Sequence, residues 1–361
     1  MKVTFRVDAS SQIGTGHLVR CLTLAKSLRR NGAEIRFICR NIPSQLAERA
    51  RSAEHDLIIL SKSQSEDLVP YGDQFAYASW LGVRQQTDAD QTLNALGGYN
   101  DWLVVDHYGI DDEWEKRLRN AVRKILVIDD LANRRHDCDI FLDQNLISNS
   151  DDRYGHLLSA NCRKLLGPSY ALLQDDFVLR RHNLCVDRSR PVRRVLIFFG
   201  GGDDHHMTEI ALRGIIPLIS DVEIVVVVGM SNPNSINVQN ITRGHRSITV
   251  HYGDADMPSL IAESDLAFGA SGTSIWERCC LGLPSAVVIL ADNQAEVAQS
   301  VADAGVAQLL GSYKNINESV FATTYQGLTQ NAKPRVNMSA RGRQLVDGEG
   351  TRRVTEAMQC T

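Results

Sequence analysis

One histidine of this chain directly follows a glycine-containing loop and begins a predicted helix. The segment 8–21, DASSQIGTGHLVRC, follows an apolar run typical of a first β-strand, and it places Gly14, Gly16 and His17 at the helix start. A helix N-terminus disfavours a protonated imidazole, so the ring would stay neutral and could accept a proton. We therefore interpret His17 as a candidate catalytic base, with a solvated helix-start residue as the alternative. Asp8, at the preceding strand end, is the candidate to orient the ring or bind a ligand.

The glycines of this loop do not complete a dinucleotide-binding fingerprint. That motif needs G-x-G-x-x-G, whereas Val19 stands where the third glycine belongs, and the lysine of a P-loop is also absent. Glycine leaves room for a ligand to approach the backbone. We therefore expect Gly14 and Gly16 to clear space for a substrate in front of His17.

A second loop of small residues lies in the C-terminal half, between the apolar run 266–268 and a helical pattern that starts at about residue 275. Exposed N–H groups and hydroxyls at a helix start bind anions. Glu277, one turn further, could accept hydrogen bonds from the two vicinal hydroxyls of a ribose. The pattern predicts a nucleotide pocket, whereas an acidic residue that only complements the helix dipole is the alternative. The candidate contacts in this loop are Ser271, Gly272, Thr273 and Ser274.

Further segments of the C-terminal half supply candidate ligand contacts. The loop FFGGGDD has no side chains at its three glycines that could obstruct a ligand, and a tight turn is the alternative explanation. The segment ADNQ offers polar groups at a strand end, one of which we expect to cap the following helix. The contacts selected from this half are Gly201, Gly202, Asp203, Asp254, Met257, Asn293 and Gln294.

Polar side chains also follow several predicted strands of the N-terminal half, in the segments VVDHYGID and VIDDLANRRHDCDIFLDQN. Carboxylates and amides that converge at strand ends suit the recognition of a polyhydroxylated or N-acylated sugar. Some of them must instead be helix caps and turn residues. The candidate contacts selected here are Asp106, Tyr108, Arg134 and Asn145.

Composition argues against several classes of protein. The net charge of −4 provides no general attraction for nucleic acid, and no apolar run is long enough to span a membrane. The eight cysteines are scattered without a C-x-x-C pair, and the N-terminus runs directly into a strand, so we expect reduced thiols in a cytoplasmic protein. Histidines and cysteines do not cluster with metal-ligand spacing, so we expect neither a metal nor another cofactor.

Strands and helices alternate along the chain, which predicts an α/β protein with parallel sheets. A helix is predicted over 17–30, with Leu18, Leu22, Ala25 and Leu28 on its apolar face. A second strand running into glycines, VLIFFGGG, indicates a second domain of the same kind. We therefore predict domains at 1–180 and 192–361, joined by a linker at 181–191. Predicted strands of the first domain are 3–7, 34–38, 57–60, 102–105, 125–128 and 140–142.

Four segments together resemble a known family: RVDASSQIGTGHLVRCLTLA, VVDHYG, DDLANRRHDCDIFLDQN and GASGTSIWERCCLGLP…ADNQ. They are similar, in order from about residue 4 to 300, to the UDP-2,4-diacetamido-2,4,6-trideoxy-β-L-altropyranose hydrolases of pseudaminic acid biosynthesis, a pathway of flagellin glycosylation. The resemblance extends distantly to the N-acetylglucosaminyltransferase that forms lipid II. It implies the glycosyltransferase B (GT-B) fold, with two Rossmann-like domains facing across a cleft.

The same resemblance implies a monomer that binds a UDP-sugar, with UDP held mainly by the C-terminal domain and the sugar facing the N-terminal one. It implies that His17 is the catalytic base and that no metal takes part. One departure is Gly202, where serine or threonine is expected, so only a backbone contact to phosphate is expected there. Two alternatives remain open: a GT-B glycosyltransferase acting on an N-acetylated sugar, and a nucleotide-sugar binding protein without turnover.

Overall fold

The computed structural model describes residues 1–10, 12–61, 77–147, 150–185, 187–229, 232–253 and 255–361. The chain forms two compact units. Unit 1 comprises Met1–Asn145, Asn149–Leu172 and Gly350–Thr361, and unit 2 comprises Leu146–Ser148 and Leu173–Glu349. Each unit is built on one parallel sheet, as the alternation of strands and helices predicts.

Unit 1 contains seven parallel strands. These are β1 (Lys2–Val7), β2 (Glu34–Cys39), β3 (Asp56–Ile59), β4 (Asn100–Asp106), β5 (Val122–Ile128), β6 (Ile140–Asp143) and β7 (Arg163–Leu166). Its helices up to this point are α1 (Gly16–Arg30), α2 (Ser44–Ser52), α3 (Gln85–Leu96), α4 (Asp112–Leu118) and α5 (Ser150–Arg153). The strand order is β3-β2-β1-β4-β5-β6-β7. The central strands β1 and β4 are buried along nearly their whole length, which indicates that both faces of the sheet are covered.

The strand order of unit 1 reverses between β1 and β4, and the carboxyl ends of strands at such a point are where open α/β sheets bind ligands. The register pairs Val7 of β1 with Asp106 of β4, so both strands end at the same level. The loop after β1 leads into α1, whose apolar stripe is buried as predicted. This topology brings the start of α1 and the end of β4 to one edge of the sheet.

Unit 2 repeats this plan with six parallel strands. These are β8 (Arg194–Phe198), β9 (Glu223–Val228), β10 (Ile248–Tyr252), β11 (Leu266–Ala270), β12 (Ser285–Ile289) and β13 (Gln308–Ser312). The helices are α6 (Asp175–Asn183), α7 (Met207–Ile215), α8 (Ser235–Thr242), α9 (Met257–Glu263), α10 (Ser274–Leu281), α11 (Ala295–Asp303), α12 (Glu318–Gln330) and α13 (Ala332–Leu345). The order is β10-β9-β8-β11-β12-β13, so the reversal falls between β8 and β11. The two glycine-rich loops of the C-terminal half follow these two strands.

The last helix, α14 (Gly350–Cys360), belongs to unit 1 although it follows α13 of unit 2. It packs against α1, where the hydroxyl oxygens of Ser27 and Thr355 are 2.9 Å apart. α6 belongs to unit 2, where Arg181 donates to the carbonyl of Cys280 at 2.7 Å. The units differ from the predicted domains at α14 and at α6, because α14 packs on α1 of unit 1 and α6 packs on the Cys280 region of unit 2.

The predicted strands and the helix over 17–30 are confirmed. Strands β7 and β13 were missed. β7 has only four residues and opens on two basic ones, and β13 contains Gly311 and is only partly buried, so neither shows a clear apolar run. In the described part of the chain, no helix combines the length and apolarity that crossing a membrane requires.

Candidate active site

His17 lies in the first turn of α1 and hydrogen-bonds to the carboxylate that ends β4. Its Nδ1 is 2.6 Å from Asp106 Oδ1, and nine-tenths of the residue is buried. Nε2 has no partner among the residues that the structure describes. With Asp106 ionised, the carboxylate can only accept, so Nδ1 would carry the ring proton and Nε2 would present its lone pair. The ring is therefore arranged to take a proton at Nε2.

Asp106 is surrounded by donors from one face of α1. Arg20 binds it with two hydrogen bonds of 2.6 Å, from Nε to Oδ2 and from Nη2 to Oδ1. The Cys21 thiol lies 3.4 Å from Oδ2. Burial opposes ionisation of this carboxyl, but the Arg20 guanidinium and His17 hold the pKa of Asp106 well below its usual range. Asp106 is therefore a carboxylate that fixes the ring of His17.

Aromatic side chains border the imidazole. The Tyr108 ring meets the His17 ring edge to face, with centroids 4.6 Å apart, and Trp80 stacks on Tyr108 at 5.7 Å. Tyr77 approaches the Trp80 ring edge to face at 4.6 Å. Trp80 and Tyr77 are partly exposed, so they give the surroundings of His17 an apolar wall.

Tyr108 also connects this wall to a polar group. Its hydroxyl donates to Asp130 Oδ1, and the Asn145 amide donates to Asp130 Oδ2 at 2.6 Å. Asp143, which accepts from Tyr154 at 2.8 Å, lies close enough that burial and the Asp130 charge raise its pKa to about 7. Asp130 is the partly exposed member of this cluster.

Asp8 has another role than the one predicted for it. It is fully buried and forms a salt bridge of 2.9 Å with Arg6, and it accepts from the backbone N–H of Arg40 at 2.6 Å. Its other oxygen lies 3.3 Å from His107 Nε2. Burial opposes ionisation, yet these partners keep the pKa of Asp8 well below its usual range. Asp106, not Asp8, therefore orients His17.

In unit 2, the start of α10 leaves its first N–H groups without acceptors. Thr273 precedes the helix and provides no side-chain cap. The N–H groups of Gly272, Thr273 and Ser274 have no acceptor within the described ranges. Uncapped N–H groups and the positive end of the helix dipole together form an anion-binding arrangement.

Glu277 lies one turn into α10, next to these N–H groups. Its carboxyl has no hydrogen-bond partner in the part of the chain that the structure describes, and it is only partly exposed. Burial raises its pKa to about 7, against the opposing charge of Arg278. Arg278 itself lies beneath the loop, where Nη2 donates to the carbonyl of Ala270 at 2.7 Å. A ligand that donates hydrogen bonds to Glu277 would relieve the cost of burying an unpartnered carboxylate.

Gln294 closes one side of this helix start. Its Oε1 lies 3.2 Å from Ser271 Oγ and accepts from the N–H of Leu290 at 3.2 Å. Its Nε2 lies 3.6 Å from where a Cβ on Gly272 would stand, so it could still donate to a ligand. Asn293 precedes it in the same short 3-10 turn, Asp292–Gln294.

The glycine loop after β8 makes a close backbone contact. A Cβ on Gly229 would lie 2.4 Å from the Cα of Gly201, so only glycine fits there. Asp203, predicted as a ligand contact, instead accepts from the N–H groups of Met207 and Thr208 at 2.9 and 3.0 Å and so caps α7. Gly202 is partly exposed, and a Cβ there would lie 3.6 Å from Asp204 Oδ1. Met257 is the first residue of α9, and Asp254 lies outside the described residues.

Residues 199–349 match the model of the glycosyltransferase family 28 C-terminal domain. The chain also resembles the crystal structure of MurG from Acinetobacter baumannii, with a TM-score of 0.64 at 15% identity, covering 100% of this chain and 99% of that one. The chain therefore has the GT-B fold. The predicted fold is thereby confirmed.

Two curated proteins are distant homologues of this GT-B chain. The UDP-2,4-diacetamido-2,4,6-trideoxy-beta-L-altropyranose hydrolase of Campylobacter jejuni is 26% identical over 315 residues, which are 84% of this chain and 97% of that protein. The spore coat polysaccharide biosynthesis protein SpsG of Bacillus subtilis is 23% identical over 364 residues, 99% of this chain and 98% of its own length.

Several predicted site residues of this GT-B chain do come together. In unit 1, His17 lies with Asp106 and Tyr108, and Gly14 adopts a φ of 81° in the loop before them. No atom of the described residues lies within 4 Å of where a Cβ on Gly14 would stand. Arg134 does not join them, because Nη2 binds Asp129 at 2.5 Å and Nε donates to the Ile110 carbonyl. Asn145 is linked to Tyr108 through Asp130.

Three residues of the site were missed: Arg20, Cys21 and Trp80. The first two follow His17 at spacings of three and four residues, which places all three side chains on one helical face. That spacing was the available signal. Within the described ranges, no three His, Cys, Asp or Glu side chains group closely enough to hold a metal ion.

Proposed function

We propose that this chain hydrolyses a UDP-2,4-diacetamido-2,4,6-trideoxyhexose with inversion, releasing UDP and the free sugar, as a step of pseudaminic acid biosynthesis. The observation that carries the proposal is the 2.6 Å contact between His17 Nδ1 and Asp106, which leaves Nε2 as a base. The homologous Campylobacter jejuni hydrolase, whose name specifies such a sugar, supports the substrate class.

In the proposed reaction, a water oxygen attacks the anomeric carbon while the bond from that carbon to the phosphate oxygen breaks. The bonding electrons leave with UDP, and the proton of the attacking water passes to Nε2 of His17. The positive charge on the imidazole is then stabilised by Asp106, 2.6 Å from Nδ1. General-base assistance of this kind is worth about 10²–10⁴-fold in rate.

The proposal assigns UDP to unit 2. The uncapped N–H groups of residues 272–274 would stabilise the negative charge that develops on the departing diphosphate. Glu277 would accept hydrogen bonds from the ribose hydroxyls, since its carboxyl has no partner in the described chain. A leaving group stabilised in this way needs no strong general acid.

The first test is a screen for UDP release from a panel of UDP-2-acetamido and UDP-diacetamido sugars, with no acceptor present. We expect turnover with a diacetamido-trideoxy sugar. In ¹⁸O-labelled water the label should enter the sugar. Label found in UDP would mean attack at phosphorus and would rule out this mechanism. His17→Ala should lower turnover by about 10²-fold or more while UDP still binds.

A second candidate is a GT-B glycosyltransferase that moves an N-acetylated sugar from UDP to an acceptor. It is favoured by the match to the glycosyltransferase family 28 domain. UDP release that begins only when an acceptor is added would support it over hydrolysis. Tight binding of an unchanged UDP-sugar after long incubation would instead indicate a binding protein.

A further inference from the structure

Arg20 is the charged partner of the carboxylate that holds His17. It is 5% exposed and offers Asp106 two parallel hydrogen bonds of 2.6 Å. A bidentate pair of this geometry is the strongest form of arginine–carboxylate contact. Arg20 Nη2 also lies 3.1 Å from His17 Nδ1, so all three groups share a buried contact.

The 2.6 Å separation of His17 Nδ1 and Asp106 Oδ1 requires one proton between them, because two lone pairs would repel each other. That proton can belong to either group. If it belongs to Nδ1, Nε2 is free to accept a proton from water. If the carboxyl group has instead taken up a proton from solvent, it donates that proton to Nδ1, the ring's own proton sits on Nε2, and the histidine cannot act as a base there.

Burial alone favours the second arrangement, because it disfavours the charged carboxylate. Arg20 is the fixed positive charge that reverses this preference, since it contacts both oxygens of Asp106. The other groups that face the pair are the Cys21 thiol and the Tyr108 ring, with Asp130 behind the Tyr108 hydroxyl. None of them supplies a positive charge.

We infer that Arg20 is a positioning residue, which keeps Asp106 ionised and thereby holds the ring proton of His17 on Nδ1, so that Nε2 is the proton acceptor. Its role in turnover rests on the proposed function, whereas the position of the proton does not. Arg20 acts through Asp106 and needs no contact with the reacting atoms.

The test uses the full-length protein and measures the His17 tautomer by ¹⁵N NMR at pH 8, beside kcat and KM for UDP release. Arg20→Ala and Arg20→Gln remove the charge, whereas Arg20→Lys keeps it. Lys26→Ala is the matched control, because Lys26 is an exposed cation of the same helix. Wild type, Arg20→Lys and Lys26→Ala should carry the proton on Nδ1.

In Arg20→Ala and Arg20→Gln we expect Asp106 to take up a proton from solvent and the ring proton to move to Nε2. We expect kcat to fall about 10²-fold with KM nearly unchanged, because base assistance is lost while binding is not. Arg20→Lys should recover most of the activity. A charge-free variant that keeps the Nδ1 proton and wild-type kcat would overturn the inference, as would a wild-type ring protonated on Nε2. If Arg20→Ala does not fold, Arg20→Gln decides the matter, and the wild-type tautomer tests the inference in any case.

The NMR measurement separates this inference from the proposed function. If wild type releases UDP from no sugar in the panel, the proposed hydrolysis fails while the tautomer still reports on Arg20. If wild type releases UDP but the His17 tautomer is the same with and without a charge at residue 20, the inference fails and the proposed function stands.

Discussion

Asp106 connects the residues of the proposed catalytic group in unit 1, because its two oxygens contact His17, Arg20 and Cys21. In Asp106→Asn, Arg20 would retain the amide oxygen, so the amide nitrogen would turn to His17 and donate to Nδ1. The ring would then be protonated on Nε2, and we expect kcat to fall by about 10²–10⁴-fold with little change in KM. Steady-state kinetics of UDP release measure both constants for Asp106→Asn. Asp101→Asn is the matched control, at the other end of the same strand, and equal losses in both variants would contradict it.

The buried carboxylate of Glu277 should lower the free energy of unfolding of the ligand-free protein. Burial raises its pKa in the folded protein from the ordinary 4.5 to about 7, so the folded state holds a proton that the unfolded chain releases. The stability of the free protein should therefore fall as pH rises from 4.5 to 7, and the penalty should be complete above that. We expect Glu277→Gln to stabilise the free protein at pH 8 by about 1–3 kcal/mol and to have no such effect at pH 4.

Urea unfolding at the two pH values measures this effect, and isothermal titration should show weaker UDP binding by Glu277→Gln. Glu318→Gln is the control, because Glu318 also lies in the first turn of a helix but is exposed. It should change stability little at either pH. A Glu277→Gln variant that is less stable than wild type at pH 8 would contradict the prediction.

At the scale of secondary-structure elements, a buried ionic network joins β1, the end of β2 and α3. Asp88 of α3 accepts from Arg6 and Arg40, each at 2.7 Å, and from the indole N–H of Trp114 at 3.1 Å. Burial opposes ionisation of Asp88, but Arg6 and Arg40 lower its pKa below the usual range. Asp88→Asn would leave buried arginines with one carboxylate fewer, and we expect a loss of about 3–5 kcal/mol at pH 7.

Chemical denaturation checks this value, with Asp90→Asn as the control. Asp90 lies on the exposed side of α3 and pairs with Arg117 of α4. Its replacement should therefore cost less than about 1 kcal/mol. Because the folded pKa of Asp88 is the lower one, its contribution is present above the ordinary pKa of aspartate and is lost as pH falls. The difference between Asp88→Asn and wild type should therefore shrink in acid. A difference that grows in acid would contradict this assignment.

Secondary-structure elements could be predicted from the sequence because their signal is local, whereas the partners of buried charged side chains could not. The β1 strand, the α1 helix and the small-residue loop before α10 follow from apolar runs, spacing and glycine positions. Arg6 meets Asp88 across 82 residues of sequence, so nothing local identifies the pair. Asp8 is predicted as a site residue because it follows a strand. In the structure it forms a salt bridge with the neighbouring buried Arg6. Asp203, predicted as a ligand contact, caps α7, and the sequence cannot separate these roles because a helix cap and a ligand contact use the same residue type.

At the scale of the whole molecule, the chain runs through unit 1, then unit 2, and returns to unit 1 with α14. Val354, Ala357 and Met358 are at most 2% exposed, so this helix contributes core to unit 1. Met358→Ala should therefore destabilise unit 1 by about 2–4 kcal/mol through lost burial and the cavity it leaves. Hydrogen exchange read out by mass spectrometry should show faster exchange in β1 and α1, with unit 2 unchanged.

Glu356→Ala, on the exposed face of α14, is the control and should cost no more than about 0.5 kcal/mol. Faster exchange confined to unit 2 would contradict the assignment of α14 to unit 1. We expect unchanged UDP binding in Met358→Ala, because the nucleotide site that we propose lies in unit 2.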